Sequence, residues 1–280
     1  APGADLKNTV DTNVDVTIGA NAVISAGRLN IEADNRIVKD WLRDINGNIV
    51  YNLVSASGGV GAFPAGTSIT TISDQTHVLV SDGAFVNVTG TGAADFNVVA
   101  YNDITAKDKA NIDSGGAVAT AKTESHIYND TNVAEVKIGS ASLKSSGSIN
   151  IASWTNEYLE AQANAKTYGL AGYAQGASTS RADIDNTILV MDGASVTAEG
   201  DINLYTEGTP DGRANVVTIK AQTDLWNKTL FAISSDPTAD AILNQTGYIN
   251  IAEDAWVGSN QDVMLQSISN HATVSGSWSY

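Results

Sequence analysis

Residues 188–206, ILVMDGASVTAEGDINLYT, decide how the rest of the chain reads, because versions of this stretch return four more times. They are VTIGANAVISAGRLNIEA at 16–33, VLVSDGAFVNVTGTGAADFNVVA at 78–100, VKIGSASLKSSGSINIAS at 136–153 and INIAEDAWVGSNQDVMLQS at 249–267. Each copy reads as a short alternating strand, a turn with Gly, Asp or Asn, a second short strand, another turn and a third strand. A strand-and-turn pattern repeated along a chain is the mark of a solenoid, in which each unit buries its apolar face against its neighbours.

Equivalent apolar residues in the five copies are Ile18, Val80, Ile138, Val190 and Ile251, which stand 62, 58, 52 and 61 residues apart. Five units therefore begin near 16, 78, 136, 188 and 249. Such intervals exceed the usual structural repeat, so each unit is expected to hold two or three coils of about 20 to 25 residues. On the order of 11 to 14 coils, about 4.8 Å apart, predict a rod roughly 50 to 65 Å long.

Between the units lies a second kind of sequence, plainest at 159–184, LEAQANAKTYGLAGYAQGASTSRADI. Leu159, Ala161, Ala163 and Ala165 alternate with polar residues, Gly169 and Gly172 interrupt, and alternation resumes from Ala174 to Ile184. A period of two with small residues on one side suits strands whose inward faces sit close together. The stretch 108–127 is similar, with Gly115 and Gly116 at its turn. An antiparallel sandwich also alternates, yet it has no reason to repeat one pattern at long intervals.

Two stretches read as insertions. One spans 36–70 and contains WLRDINGNIVYNL, where Asn46 and Gly47 between strand-like runs signal a two-residue hairpin turn. The other spans 222–246 and carries Trp226, Phe231 and Pro237. Pro210, in EGTPDGR, marks a further turn.

Composition agrees with strands and turns. Gly is frequent at 25, Pro is rare at 4, and Ala, Val, Ile, Ser, Thr, Asn and Asp dominate. A net charge of −16 disfavours nucleic acid and anionic membrane as partners, since both require clustered Lys and Arg. There is no Cys, so disulfides and thiolate metal sites are excluded. No apolar run approaches the roughly 18 to 20 residues that span a bilayer, so no membrane insertion is expected.

Alternating Ala and Ser strands broken by Gly, followed by an Asp or Asn turn and then DGASVTAEGDINLYT, resemble the repeats of large secreted bacterial filamentous adhesins of the haemagglutinin and leukotoxin type. The resemblance covers most of the chain and implies a right-handed parallel β-helix. It also implies secretion, a cell-surface location and a stalk that adheres to cells or matrix. That family carries no catalytic motif. Positions matching its turn are Gly19, Asp82, Gly83, Gly139, Asp192 and Gly193, all with structural roles, because Gly and Asp tolerate tight turn conformations.

Three chemistries come into question on the residues themselves. Asp183 and Asp185, with Asp192 seven residues on, form a carboxylate group of the kind glycoside hydrolysis needs, but three scattered His (His77, His126 and His271) supply no supporting cluster. The SDGA, MDGA and AEDA turns suggest calcium, which wants six to eight oxygens, yet neither an EF-hand loop nor a GGxGxD repeat is present, and no cofactor is expected. The Gly-rich 57–66 lacks the Lys of a phosphate loop. Five Trp are large for a narrow coil lined by Ala and Ser, so several should stand outside. Trp41, Tyr51 and Phe63, around the hairpin, are the candidate ligand-binding residues, since exposed aromatics stack on sugars or anchor protein contacts.

The chain is thus expected to be a single all-β, parallel β-helical section of a non-enzymatic adhesin. Its expected partners are neighbouring repeats and surface glycans or proteins. Two alternatives remain open: a fibre subunit that stacks end to end, and a glycan-cleaving β-helix enzyme.

Overall fold

A computed structural model describes residues 3–206, 216–267 and 272–280. These residues form strands and turns with no helix, and successive coils pair in parallel throughout. The antiparallel exception is a small hairpin, Leu42–Arg43 with Ile49–Val50.

One coil shows the plan. The short base strand Ser142–Ser145 leads into a strand of 42 residues, Ile149–Val190, which doubles back at Gly169. Its first limb runs away from the base, its second returns, and a turn at 191–194 delivers the next base strand, Ser195–Ala198. The preceding coil repeats this with Phe85–Val88 and the 43-residue Phe96–Ile138. In the flanking coils the outgoing limb is divided, into Leu29–Lys39 and Leu53–Ala62 on one side and Ile202–Thr206 and Val217–Ala232 on the other. Return limbs Gly3–Ile18, Ala65–Val80 and Asp236–Ile251 complete that stack, while Trp256–Ser259, Val263–Ser267 and Ala272–Ser279 begin the last coil.

The fold is therefore an all-β parallel solenoid, its large sheet curled so that outgoing and return limbs face each other across a common interior. Ile18, Val80, Ile138, Val190 and Ile251 form one unbroken register column. Each sequence unit is a single coil of more than fifty residues, which corrects the expectation of two or three coils per unit. The alternating stretch 159–184, read as additional coils, is instead the two limbs of one coil. Five coils at the spacing of paired strands give a stack only about 20 Å tall, whereas a limb of sixteen to twenty residues reaches about 55 to 65 Å. The section is a broad, shallow slab and not a narrow rod.

The insertions also narrow. Lys39 pairs with Ala106 and Leu53 with Ala110, so the protruding part of 36–70 is 40–52, and the remainder is strand apart from Phe63 and Pro64 between the two limbs. Residues 222–246 are not an insertion: Gln222 pairs with Gln162 and Thr246 with Asp185. Trp226 and Phe231 there are simply exposed, and Pro237 lies in the outermost return limb, an edge position that tolerates a missing N–H. The Pro210 turn and His271 lie outside the described residues.

Side-chain size sets the taper of the interior. Near the base the core is Ile, Val, Leu and Phe96; at the bends it shrinks to Ile112, Ala121, Ala165, Ala174 and Leu225. At the bend, Gly59, Gly116 and Gly169 pair in register. A Cβ on Gly116 would collide with the Gly59 carbonyl oxygen, and one on Gly169 with that of Gly116. Gly59 and Gly169 also take φ of 143° and 141°, a region that L side chains rarely adopt. Glycine is what lets strands of 42 and 43 residues fold flat.

Candidate functional site

The outward face of the outgoing limbs gathers the cationic and aromatic side chains. Strand alternation places Lys107, Lys109, Tyr158, Glu160, Gln162, Lys166, Lys220, Trp226 and Lys228 on that face, in adjoining register columns of three successive coils. The hairpin 40–52 of the preceding coil adds Trp41 and Tyr51. Lys109 Nζ lies 6.0 Å from the Trp41 ring centre and 5.1 Å from that of Tyr51. Lys107 stands 6.0 Å from Trp41 and 5.4 Å from Tyr158, and Lys220 is 5.3 Å from Tyr158 on its other side. Lys166 and Lys228 flank Trp226 at 5.9 and 4.2 Å. All cation–π contacts among the described residues lie on this face.

Hydrogen bonds hold its polar members in place. Tyr158 OH donates to Glu160 Oε2 at 2.5 Å, Gln162 Nε2 donates to Glu160 Oε1 at 2.7 Å, and Lys107 Nζ lies 2.8 Å from Asp40 Oδ1. The Lys107 contact and the Trp41 N–H hold the exposed Asp40 carboxyl below the ordinary carboxylate range. Beside Trp226 a shallow groove of about 390 Å³ is lined by Lys166, Asp224, Trp226 and Tyr280. Trp226 keeps 49% of its surface exposed. The arrangement offers flat ring faces, ammonium donors and carboxylate acceptors on a rigid sheet.

Of the aromatic residues singled out in the sequence, Trp41 and Tyr51 meet across Lys109, whereas Phe63 lies beyond the bend, at the start of the return limb and against Gly61. Tyr158, Trp226 and the lysines were missed, because a limb read as separate coils hides that residues about 53 apart are lateral neighbours.

Gly19, Asp82, Gly83, Gly139, Asp192 and Gly193 lie in the turns between return limb and base. Asp82 Oδ1 accepts the Ser140 N–H at 2.8 Å, and a Cβ on Gly139 would collide with that same oxygen. Gly83 and Gly193 take φ of 73° and 75°, and Asn21 fills the equivalent place at 58°. Gly19 faces open space.

Asp183 is engaged by Arg181 Nη2 at 2.6 Å and Asn244 Nδ2 at 2.5 Å. Partial burial pushes its carboxyl up, but those two donors outweigh it and hold it below the usual range. Asp185 faces solvent in the neighbouring outward position. His77 and His126 stand apart, beside Asp15 and Glu124. Among the described residues no three His, Asp or Glu side chains are grouped to hold a metal ion, and Asp82, the acidic residue of the SDGA turn, serves the backbone.

Among the described residues, three carboxyls point inward. Asp108, fully buried, receives Lys39 Nζ at 3.1 Å, Ser68 Oγ at 2.9 Å and Ser125 Oγ at 2.7 Å. Burial pushes Glu157 up to about 8, and the neighbouring Asp74 charge adds to this, although Asn129 and Asn132 donate to its oxygens at 2.8 and 3.1 Å. Burial likewise pushes Asp74 up to about 7, with Asn129 nearby favouring its charged form and neither oxygen within hydrogen-bonding geometry of a partner. All three sit on the parity of the inward residues, a signal legible once a marker such as Val80 orients its strand.

No protein-family model, curated protein or solved structure matches the chain. The likeness to filamentous adhesins therefore rests on the repeat pattern alone.

Proposed function

We propose that this chain is a non-enzymatic, extracellular solenoid section that binds carbohydrate on the outward face of its outgoing limbs. The observation that carries the reading is the convergence of Trp41, Tyr51, Tyr158 and Trp226 with five lysines on one flat sheet, in a chain whose net charge is −16. Aromatic faces stack on the C–H faces of sugar rings, while Lys, Glu160 and Gln162 supply donors and acceptors for hydroxyl or carboxylate groups. The platform spans four coils, about 15 Å, and roughly ten residues along the strands, about 33 Å, enough for an oligosaccharide of several units. Secretion and display on a bacterial surface belong to the same proposal and are supported by the likeness to filamentous adhesins.

Binding is tested with a glycan array, followed by titration of the best oligosaccharide against intrinsic Trp fluorescence. Trp41→Ala and Trp226→Ala should each weaken binding about tenfold or more while circular dichroism stays unchanged. Absence of any glycan ligand, or binding indifferent to both substitutions, rejects the proposal.

A further inference from the structure

We propose that the interior of the solenoid binds one calcium ion between Asp74 and Glu157, with the side-chain oxygens of Asn129 and Asn132 completing the site. All four residues belong to the second and third coils and are at most 1% exposed. Their contacts make them one cluster. Asn132 is the ladder partner of Asp74, and Asn129 lies beside Asp74 as well. Across the interior the amides of Asn129 and Asn132 donate to the two oxygens of Glu157, at 2.8 and 3.1 Å.

A local departure from regular strand brings both asparagines there. Ile72 pairs with Asn129 but Ser73 with Thr131; in the next coil Ala182 pairs with Asn129 and Ile184 with Asn132. The third coil therefore carries one residue more at this point than the coil on either side. Strict alternation sends residues three apart to opposite faces of a sheet, whereas the extra residue turns Asn129 and Asn132 both inward.

The cluster has more acceptors than donors. Both oxygens of Asp74 and the carbonyl oxygen of Asn129 are buried without a hydrogen-bond partner. Neighbouring donors are committed: Thr76 donates to the Asn102 oxygen at 2.5 Å, and the Asn102 amide to Asn132 Oδ1 at 2.8 Å. Among the described residues no ammonium or guanidinium serves Asp74 or Glu157, whereas Asp108, the third inward carboxyl, has Lys39 at 3.1 Å. A buried carboxylate without a counter-charge either takes a proton or acquires a cation from outside. Burial lifts both carboxyls toward neutrality, so the pair holds protons in mildly acid solution and can yield them to an ion above it.

The donor set selects the ion. All the ligands are oxygens, which suit a hard cation and not the metals that favour nitrogen or sulfur. The two carboxylates offer four oxygens and balance a double positive charge, and the two asparagines add one oxygen each. That reaches the lower bound of calcium's six to eight oxygens, whereas magnesium ordinarily keeps several waters, which suits so buried a cluster poorly. The exposed SDGA and MDGA turns are not involved, and the site is independent of the carbohydrate face.

The test is equilibrium dialysis of the 280-residue chain against calcium chloride at constant ionic strength. The chain is first refolded from urea in the same calcium, so that the closed interior does not bar entry. A single ion should bind at about pH 8.5 and about tenfold or more weakly at about pH 5.5, where protons compete. Asp74→Asn and Glu157→Gln keep the shape of the protonated side chains and should each weaken binding about tenfold or more, through the lost ligand charge. Asp82→Asn and Asp192→Asn, in the exposed turns, should leave it unchanged. Calcium should also raise the urea midpoint of the parent chain at about pH 8.5 but not that of Asp74→Asn. A chain that takes up no calcium at millimolar concentration overturns the proposal. So does calcium binding that survives Asp74→Asn and Glu157→Gln, or that is lost only in the turn variants.

Discussion

Lys39 Nζ lies 3.1 Å from Asp108 Oδ1 at the point where the outgoing limb gives way to the hairpin 40–52. The carboxylate is wholly buried and the lysine side chain only 18% exposed, so the pair is tied into the interior. Lys39→Met leaves Asp108 with two serine hydroxyls and no counter-charge, and should cost about 3 to 5 kcal/mol. Replacing both, as Lys39→Met with Asp108→Leu, should recover most of that loss. Urea denaturation of the three proteins decides it: additive losses would show that the two side chains do not act as a pair.

Stability should fall as pH rises through neutrality. Asp74 and Glu157 move from ordinary values of 3.8 and 4.5 to about 7 and about 8 in the folded chain, chiefly through burial. The folded state therefore binds protons that the unfolded state has released. Their contribution is fully present below about pH 4 and is lost as pH climbs through 7 and 8. Carboxyls held low, such as Asp95 and Glu124, act in the opposite sense but only at acid pH, and His126, which burial holds below its ordinary 6.5, opposes the fall only up to about that pH, so above it the buried pair sets the slope. Urea midpoints should drop across that window, and Asp74→Asn with Glu157→Gln should flatten the slope. A midpoint that rises with pH contradicts the assignment.

Glycines at two places should respond very differently. Gly116→Ala sets a methyl against the Gly59 carbonyl, backbone against backbone, and should destabilise by about 1 to 3 kcal/mol or more. Gly19→Ala faces open space without a positive φ and should stay within about 0.5 kcal/mol. Thermal melting of the two variants distinguishes a bend that requires glycine from a turn that merely contains it.

The hairpin should be removable. Three residues, 107–109, do in one coil what 39–53 accomplish with thirteen between their ends, so excising 40–52 and closing with Asn-Gly-Asn should leave the ladder intact. The shortened chain should melt within a few degrees of the parent while losing carbohydrate binding along with Trp41 and Tyr51. Unfolding on excision would assign the hairpin a structural role.

Much of this was legible in the sequence near the base strands and little along the limbs. The columns through Ile18 and Val80 could be read because turn chemistry and β-branched residues coincide there. Along 159–184 the signal was real alternation, but Ala and Ser strands look alike whether one coil doubles back or several short coils follow each other. Gly169 with Gly172 marks the bend, but in sequence the pair looks like a mere interruption of the alternation. Trp41 and Tyr51 were noticed because a hairpin turn frames them. Trp226 escaped because its neighbours Lys166 and Lys228 reach it by different routes, one through the ladder and the other two residues along its own strand. Asp74, Asp108 and Glu157 contradict the rule that acidic residues face water, and only their parity gives them away.

Among the described residues, ladder partners in successive coils stand at least 52 residues apart. Relative to 280 residues, that separation places the chain near a relative contact order of about 0.2, among slow folders. A growing chain gains nothing from a half-finished coil, and everything when the return limb comes home along its predecessor. At about 5 to 20 residues per second a ribosome would deliver one complete layer every 3 to 12 seconds or so. Folding should therefore advance in discrete steps, each finished layer acting as the mould for the one being made.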